Sequence, residues 1–222
     1  MNTLGNTSST EQSVQISVDR CRLNGDLSLP SGARGLVLFA HGSGSSRHSP
    51  RNRQVARTLN EAGLGTLLMD LLTVEEEAVD RQTRHLRFDV PMLSRRLCGA
   101  LGWLHEQPET QSLKVGIFGA STGAGAALIA AATRPDDVAA VVSRAGRVDM
   151  AGKALPLVKA PTLLIVGGAD VPVIGMNREA QAKMTAETEL VTVPGASHLF
   201  EEPGTLEEVA RLATGWFSRY LA

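Results

Sequence analysis

The sequence predicts one doubly wound α/β domain with a mainly parallel sheet of about seven or eight strands and helices on both faces. Three observations carry that prediction. Short, almost continuously apolar runs recur along the chain. Helical patterns fall between them. No segment repeats at a period that would build a solenoid or a propeller. The 222 residues, 43% hydrophobic and 20% charged, suit one large domain with a sizeable core.

The elements follow in order. Positions 1–12 are polar and rich in Ser, Thr and Asn, and are expected to form a flexible tail before a domain over 13–222. That stretch has neither the basic start nor the apolar core of a signal peptide, which predicts a cytoplasmic protein. Val14-Gln-Ile-Ser-Val18 alternates as a half-buried strand does, and Cys21 to Leu29 follows as a second strand before Pro30. Asn24-Gly25 is the stronger hairpin signal here, with a turn at Asp19-Arg20 as the competing register. The runs Leu36–Ala40, Thr66–Met69, Lys114–Phe118, Val138–Val142, Thr162–Val166 and Glu189–Val193 read as strands buried on both faces.

Between them, Ser49-Pro50 reads as an N-cap with Pro in the first helical position, and Gly63 closes that helix. Leu93, Leu97, Leu101 and Leu104 form a stripe at helical spacing. Thr122 to Thr133 is rich in Gly and Ala, as a helix packed tightly under a sheet would be. Thr205-Leu-Glu-Glu208 matches a capping box ahead of a last amphipathic helix.

Composition excludes several functions. With 22 Lys and Arg against 23 Asp and Glu, the net charge is −1, so nothing points to nucleic acid or an anionic membrane. The two cysteines, Cys21 and Cys98, have neither the number for a disulfide framework nor the spacing of a zinc site. No apolar run reaches the roughly 18–20 residues of a membrane span.

Ligands of such a sheet bind at the carboxyl ends of the strands, and four features fall there. Gly119-Ala-Ser121-Thr-Gly123 lies directly between a strand and a helix. In that context G-x-S-x-G projects a serine hydroxyl from a sharp turn, with a helix N-terminus behind it to favour negative charge. The same glycines also fit a dinucleotide pattern, Gly119-x-x-x-Gly123-x-Gly125, but it lies mid-chain and the sole tyrosine is Tyr220. A P-loop would need a Lys after the glycines. His41-Gly-Ser-Gly44 ends an earlier strand, and its bare backbone can aim N–H groups at an oxyanion. The expected donors are the amides of Ser43 and Thr122, with His41 orienting the loop.

Asp170 follows the strand ending at Val166, and His198 follows the last strand. Asp70, also at a strand end, is the weaker candidate acid because it precedes Ser121. Among the arginines, Arg47 and Arg144 are candidate contacts for a substrate carboxylate, whereas Arg51, Arg53 and Arg57 read as a solvated helix face.

Together, His41-Gly-Ser-Gly-Ser-Ser-Arg47, Gly119-Ala-Ser-Thr-Gly123 and Pro194-Gly-Ala-Ser-His-Leu-Phe-Glu-Glu202 resemble the dienelactone-hydrolase-like group of α/β-hydrolases, from about Val14 to the C-terminus. That resemblance implies the α/β-hydrolase fold and the chain order Ser, Asp, His of its triad. Dienelactone hydrolase carries Cys as nucleophile, whereas this chain has Ser121, so the resemblance implies a serine carboxylesterase with catalytic Ser121, Asp170 and His198 and no metal or cofactor. The expected partner is a small-molecule ester, with a homodimer left open. A non-catalytic binding protein on the same fold is the alternative from another class. A thioesterase, lactonase or acyltransferase would use the same triad. The stretch between Ser143 and Thr162 is too short for an apolar lid, and the other possible cover, Thr73 to Arg87, is strongly charged.

Overall fold

The computed structural model describes residues 10–222. A single eight-stranded sheet runs through the molecule: β1 (Thr10–Val18), β2 (Cys21–Leu29), β3 (Leu36–Ala40), β4 (Gly65–Met69), β5 (Val115–Ala120), β6 (Val138–Arg144), β7 (Thr162–Gly167) and β8 (Thr188–Val193). Its order is β1-β2-β4-β3-β5-β6-β7-β8. Strands β3 to β8 are parallel to one another, and the β1–β2 hairpin joins β4 antiparallel. The order reverses between β3 and β5, which makes their carboxyl ends the place for a crevice.

The helices are α1 (Pro50–Glu61), α2 (Val74–Thr83), α3 (Val90–Glu106), α4 (Thr122–Thr133), α5 (Val171–Gln181) and α6 (Thr205–Leu221). Two apolar layers hold them to the sheet. One face packs α3 and α4 through Leu97, Leu101, Ala127 and Leu128 against Leu38, Ile117 and Leu164. The other packs α1 and α6 through Val55, Leu59, Val209 and Phe217 against Phe39, Phe118 and Ile165. Strands β3, β4, β5 and β7 are buried along their whole length, which is why they read as unbroken apolar runs.

Three local expectations change. Strand β1 begins at Thr10, so Thr10, Glu11 and Gln12 belong to the sheet, and positions 1–9 lie outside the described residues. The hairpin turns at Asp19-Arg20, with Asp19 at φ 52°, and Asn24-Gly25 sits inside β2. Gly25 is there for space: a Cβ on it would lie 3.1 Å from both Ile16 Cδ1 and Leu67 Cδ1. The capping box stands on α2 instead of α6. Thr73 Oγ1 accepts from the Glu76 N–H and Glu76 accepts from the Thr73 N–H. At α6 the N-cap is Gly204, and the Thr205 hydroxyl donates to the Glu202 carbonyl.

The connections over the sheet's carboxyl edge are short. Between β6 and β7 lies only a kinked 3-10 segment, Val148–Leu157. Between β4 and α3 lie α2 and the 3-10 turn Leu86–Phe88. The Arg87 guanidinium grips the Asp80 carboxylate at 2.6 Å, and Arg96 holds Glu76 at 2.6 Å, so this charged cover is pinned to α3. Three apolar side chains on it, Val74, Val79 and Phe88, are exposed.

Candidate active site

Ser121 joins β5 to α4 at φ 50°, ψ −122°, a conformation that costs a non-glycine residue of order 1–3 kcal/mol. Its neighbours hold it there. Its N–H donates to the Arg144 carbonyl at 3.1 Å, and its carbonyl accepts from the N–H groups of Ala124 and Arg147, each at 3.0 Å. The flanking glycines serve a different purpose from the one their motif suggests. Neither has a positive φ. A Cβ on Gly119 would lie 2.5 Å from Ala124 Cα, and one on Gly123 would lie 2.3 Å from the Ala40 carbonyl oxygen. Serine takes the strained turn, and the glycines let β5, α4 and the end of β3 close on one another.

The loop after β3 lies against this elbow. A Cβ on Gly42 would sit 3.2 Å from Ser121 Cβ, and Gly44 has φ 70°. His41 ties the loop to the end of β4: its Nε2 accepts from the Leu71 N–H at 3.0 Å, and its Nδ1 donates to the Gly42 carbonyl at 2.9 Å. A backbone N–H can only donate and a carbonyl can only accept, so the imidazole is the neutral Nδ1–H tautomer. Burial pushes its pKa below the ordinary value, against the opposing Gly42 bond and the charges of Asp70 and Glu77. Both ring nitrogens are engaged in holding the loop. Thr122, the first residue of α4, contributes an amide with no intrahelical acceptor.

Asp170 is the N-cap of α5, yet its side chain does not cap that helix. Its Oδ2 instead accepts from His198 Nδ1 at 2.6 Å, which leaves Nε2 as the ring nitrogen for another partner. The loops carrying the two residues are stitched together by Gly168 N–H to the Val193 carbonyl at 2.8 Å and Ala169 N–H to the Ala196 carbonyl at 2.9 Å. Gly167 permits that approach, since a Cβ there would lie 2.4 Å from the Ala196 oxygen. Glu202 steadies the His198 loop by accepting the Ser197 N–H at 3.0 Å.

A cavity of about 240 Å³ gathers Ser43, Ser121, Arg144 and His198 on one wall system, with Asp170 behind His198. A second cavity, about 170 Å³, lies across the His41–Ser46 loop and is lined by Thr122, Leu71, Asp80 and Arg87. The sequence-predicted residues thus converge, with one exception. Arg47 lines neither cavity; its backbone N–H and its guanidinium both bind Asp70, and its Nε lies 3.5 Å from Asp26. Asp70 is thus engaged by Arg47, and the carboxylate on His198 is that of Asp170.

Arg51 and Asn52 line the 240 Å³ cavity, although the sequence reading put Arg51 on a solvated face. Their signal lay in the cap at Ser49-Pro50, which starts α1 at the cavity and turns its first residues inward. Cys98 is half-buried on α3, and burial raises its thiol pKa. Among the described residues, no three His, Cys, Asp or Glu side chains gather as a metal site, and no helix is long and apolar enough to cross a membrane.

The comparisons with known proteins agree with the fold. Residues 25–220 match the family described as the dienelactone hydrolase family. The crystal structure of dienelactone hydrolase from Anabaena variabilis is 62% identical, with a TM-score of 0.95 over 96% of this chain and 99% of that one. A Mycobacterium tuberculosis protein that carries the provisional name phosphoribosyl transferase Rv0571c is 56% identical over 211 residues, which is 95% of this chain and 47% of that protein. The chain therefore spans about half the length of the curated relatives it matches. A serine hydrolase of Xanthomonas campestris described as lacking a lid shares the fold, at a TM-score of 0.75 and 21% identity over 95% of each chain. With the family pattern covering nearly the whole chain, and a relative of high identity matched along its length, the protein is a member of the dienelactone hydrolase family with the α/β-hydrolase fold.

Proposed function

We propose that the protein is a serine hydrolase that cleaves small carboxylic esters through Ser121, His198 and Asp170. The observation that carries this reading is the 2.6 Å contact between His198 Nδ1 and Asp170 Oδ2, with His198 and the strained Ser121 lining one cavity. In this mechanism Ser121 Oγ attacks the ester carbonyl carbon while His198 Nε2 accepts its proton. Asp170 fixes the tautomer and stabilises the imidazolium. The amides of Ser43 and Thr122 hold the tetrahedral oxyanion. The C–O bond then breaks, and His198 protonates the departing alcohol. Water, deprotonated by the same imidazole, releases the acid from the acyl-enzyme and restores Ser121.

Cys98 does not line either cavity beside the elbow, which supports serine as the nucleophile. Thioesters, lactones and acyl transfer to an alcohol would engage the same atoms, and a substrate panel ranks them. The test is labelling with a fluorophosphonate, which reacts only with an activated serine. Wild-type protein should be labelled, Ser121→Ala should not, and purified protein should turn over p-nitrophenyl acetate. Folded wild-type protein that takes no label and turns over no ester would point to a binding protein on a hydrolase fold.

A further inference from the structure

The two cavities beside the nucleophile elbow differ in what they can hold. The tetrahedral carbon formed by attack of Ser121 carries the serine oxygen, the oxyanion, the leaving oxygen and the acyl carbon. The leaving oxygen must lie within reach of His198, which protonates it. His198 lines the cavity of about 240 Å³ and not the one of about 170 Å³. In the proposed mechanism the oxyanion sits between the amides of Ser43 and Thr122. Ser43 lines both cavities, and Thr122 lines only the smaller. The alcohol half of an ester therefore takes the larger cavity, and the acyl half is left with the smaller.

The smaller cavity suits an uncharged group. Its charged side chains cancel one another: Asp80 accepts from Arg87 at 2.6 Å, Glu77 lies 3.2 Å from Arg81, and Asp70 is held by Arg47. Three carboxylates, Asp70, Glu77 and Asp80, stand on its wall against two guanidinium groups, Arg81 and Arg87, so it offers no net positive charge to an anion. Leu71, Leu72 and Leu93 supply its apolar part. One polar atom has no partner. Thr122 is only 2% exposed, and its Oγ1 is buried without a hydrogen bond. Among the described residues lining this cavity, no other buried side-chain nitrogen or oxygen lacks a partner. An unpaired buried hydroxyl is destabilising where a valine of the same shape is not. The residue is also fixed in place. On one side the Ser121 carbonyl accepts from the Ala124 N–H at 3.0 Å, and on the other Gly123 is pressed against the Ala40 carbonyl.

We infer that the 170 Å³ cavity is the acyl subsite and that the Thr122 hydroxyl is its polar anchor, so that the substrate is an ester of a short, uncharged hydroxy acid. This inference deepens the ester-hydrolase reading and rests on it. Because the Thr122 amide faces the carbonyl oxygen, the side chain of the same residue meets the acyl group within a few bonds of the carbonyl carbon. The substrate hydroxyl therefore stands on the first or second carbon from the carbonyl. A threonine hydroxyl both donates and accepts, so it can pair with an alcohol in either sense.

The test uses ester pairs that exchange a hydroxyl for a methyl group. Methyl lactate is set against methyl isobutyrate, and methyl 3-hydroxybutyrate against methyl isovalerate, with both enantiomers of each hydroxy ester. Each kcat/KM ratio is divided by the same ratio for hydroxide in water, which removes intrinsic reactivity. At least one hydroxy ester should then exceed its partner by about threefold to tenfold, the scale of one neutral hydrogen bond. That advantage should collapse towards one in Thr122→Val and persist in Thr122→Ser, while the Tm of Thr122→Val equals or exceeds that of wild type. Thr122→Ala supplies the same comparison if the valine variant does not fold.

A second pair of variants tests the placement of the two halves. Leu72→Phe narrows the smaller cavity and Leu199→Trp the larger. Leu72→Phe should lower kcat/KM for ethyl butyrate relative to ethyl acetate and keep the ranking of methyl, butyl and benzyl acetates. Leu199→Trp should do the opposite. Ester turnover with every corrected ratio at or below one, an advantage that survives in Thr122→Val and Thr122→Ala, or a Leu72→Phe effect confined to the alcohol series would overturn the inference and leave the hydrolase reading standing. No turnover of any ester, together with no fluorophosphonate label, would overturn both.

Discussion

Replacing Gly123 by alanine probes the seam on which the proposed oxyanion hole depends. The added Cβ would meet the Ala40 carbonyl oxygen at 2.3 Å and the His41 carbonyl oxygen at 2.5 Å, where real Cβ atoms keep at least 3.0 Å. Both obstacles are backbone, so no flexible side chain can yield. The N-terminus of α4 must therefore move away from the β3 loop by roughly 0.7 Å or more. Ser43 and Thr122 lie on opposite sides of that seam, and oxyanion donors work at about 2.7–3.1 Å. A displacement of this size carries one donor out of range. Loss of one such donor lowers kcat about 10²–10³-fold, or ~2.7–4 kcal/mol of transition-state binding. Overpacking adds a stability cost of about 1–3 kcal/mol, which in a chain of this size lowers Tm by roughly 3–9 °C. Gly102→Ala is the control. It lies mid-way along α3 with nothing within 4 Å of an added Cβ, so it should leave kcat alone and stabilise by about 0.5–1 kcal/mol. Steady-state kinetics with p-nitrophenyl acetate and a thermal melt measure both effects. A Gly123→Ala protein with wild-type kcat and Tm would refute the contact argument and the placement of the oxyanion donors with it.

Asp170→Asn should cut kcat by about 10⁴-fold, because the amide no longer fixes the imidazole tautomer. Asp70→Asn should act mainly on Tm, through the Arg47 pair; single-turnover kinetics on both variants would expose a reversed assignment. His41 titrates below its ordinary pKa when folded, so between about pH 6.5 and lower values the unfolded chain binds the extra proton and the folded state loses stability. Tm measured from pH 7.5 down to pH 5 should therefore fall more steeply in wild type than in His41→Gln, and equal slopes would remove His41 from the loop's support. Chain length is the last variable. The cavities beside Ser121 are small and the cover formed by α2 is charged, so added methylenes find little wall on which to gain their usual ~0.8 kcal/mol each. The acetate and butyrate esters of p-nitrophenol should show higher kcat/KM than the decanoate, and the reverse order would reveal an acyl tunnel.

How much of this was legible beforehand follows from the range of each interaction. The central parallel strands announce themselves because both faces of each touch core, which leaves the run apolar without alternation, whereas β8, which reads the same way in sequence, is an edge strand with only Val193 buried. The elbow, the His41 loop, Asp170 and His198 are legible because strand ends and turn residues are local features, and the sheet brings strand ends together. The hairpin turn was not legible. Asn24-Gly25 is the better local turn, but Gly25 is needed for room between Ile16 and Leu67, contacts that exist only once β2 has joined β4. The cap of α6 was missed for a related reason: Gly204 at φ 81° sets the entry angle, and the Thr205 hydroxyl is already engaged with Glu202.

Arginine partners are the clearest case. Arg47, Arg51 and Arg144 look alike in sequence, and nothing within several residues of any of them says which carboxylate, if any, will be near. Asp26 within β2 and Asp70 just past β4 neutralise Arg47, whereas the end of β6 delivers Arg144 to a cavity with no acid on its wall. The sequence alone determined which chemical groups stand at the strand ends, because that depends on chain order. Tertiary packing alone decided which charges are cancelled, because ion pairing falls off within a few ångströms and depends on elements far apart in the chain.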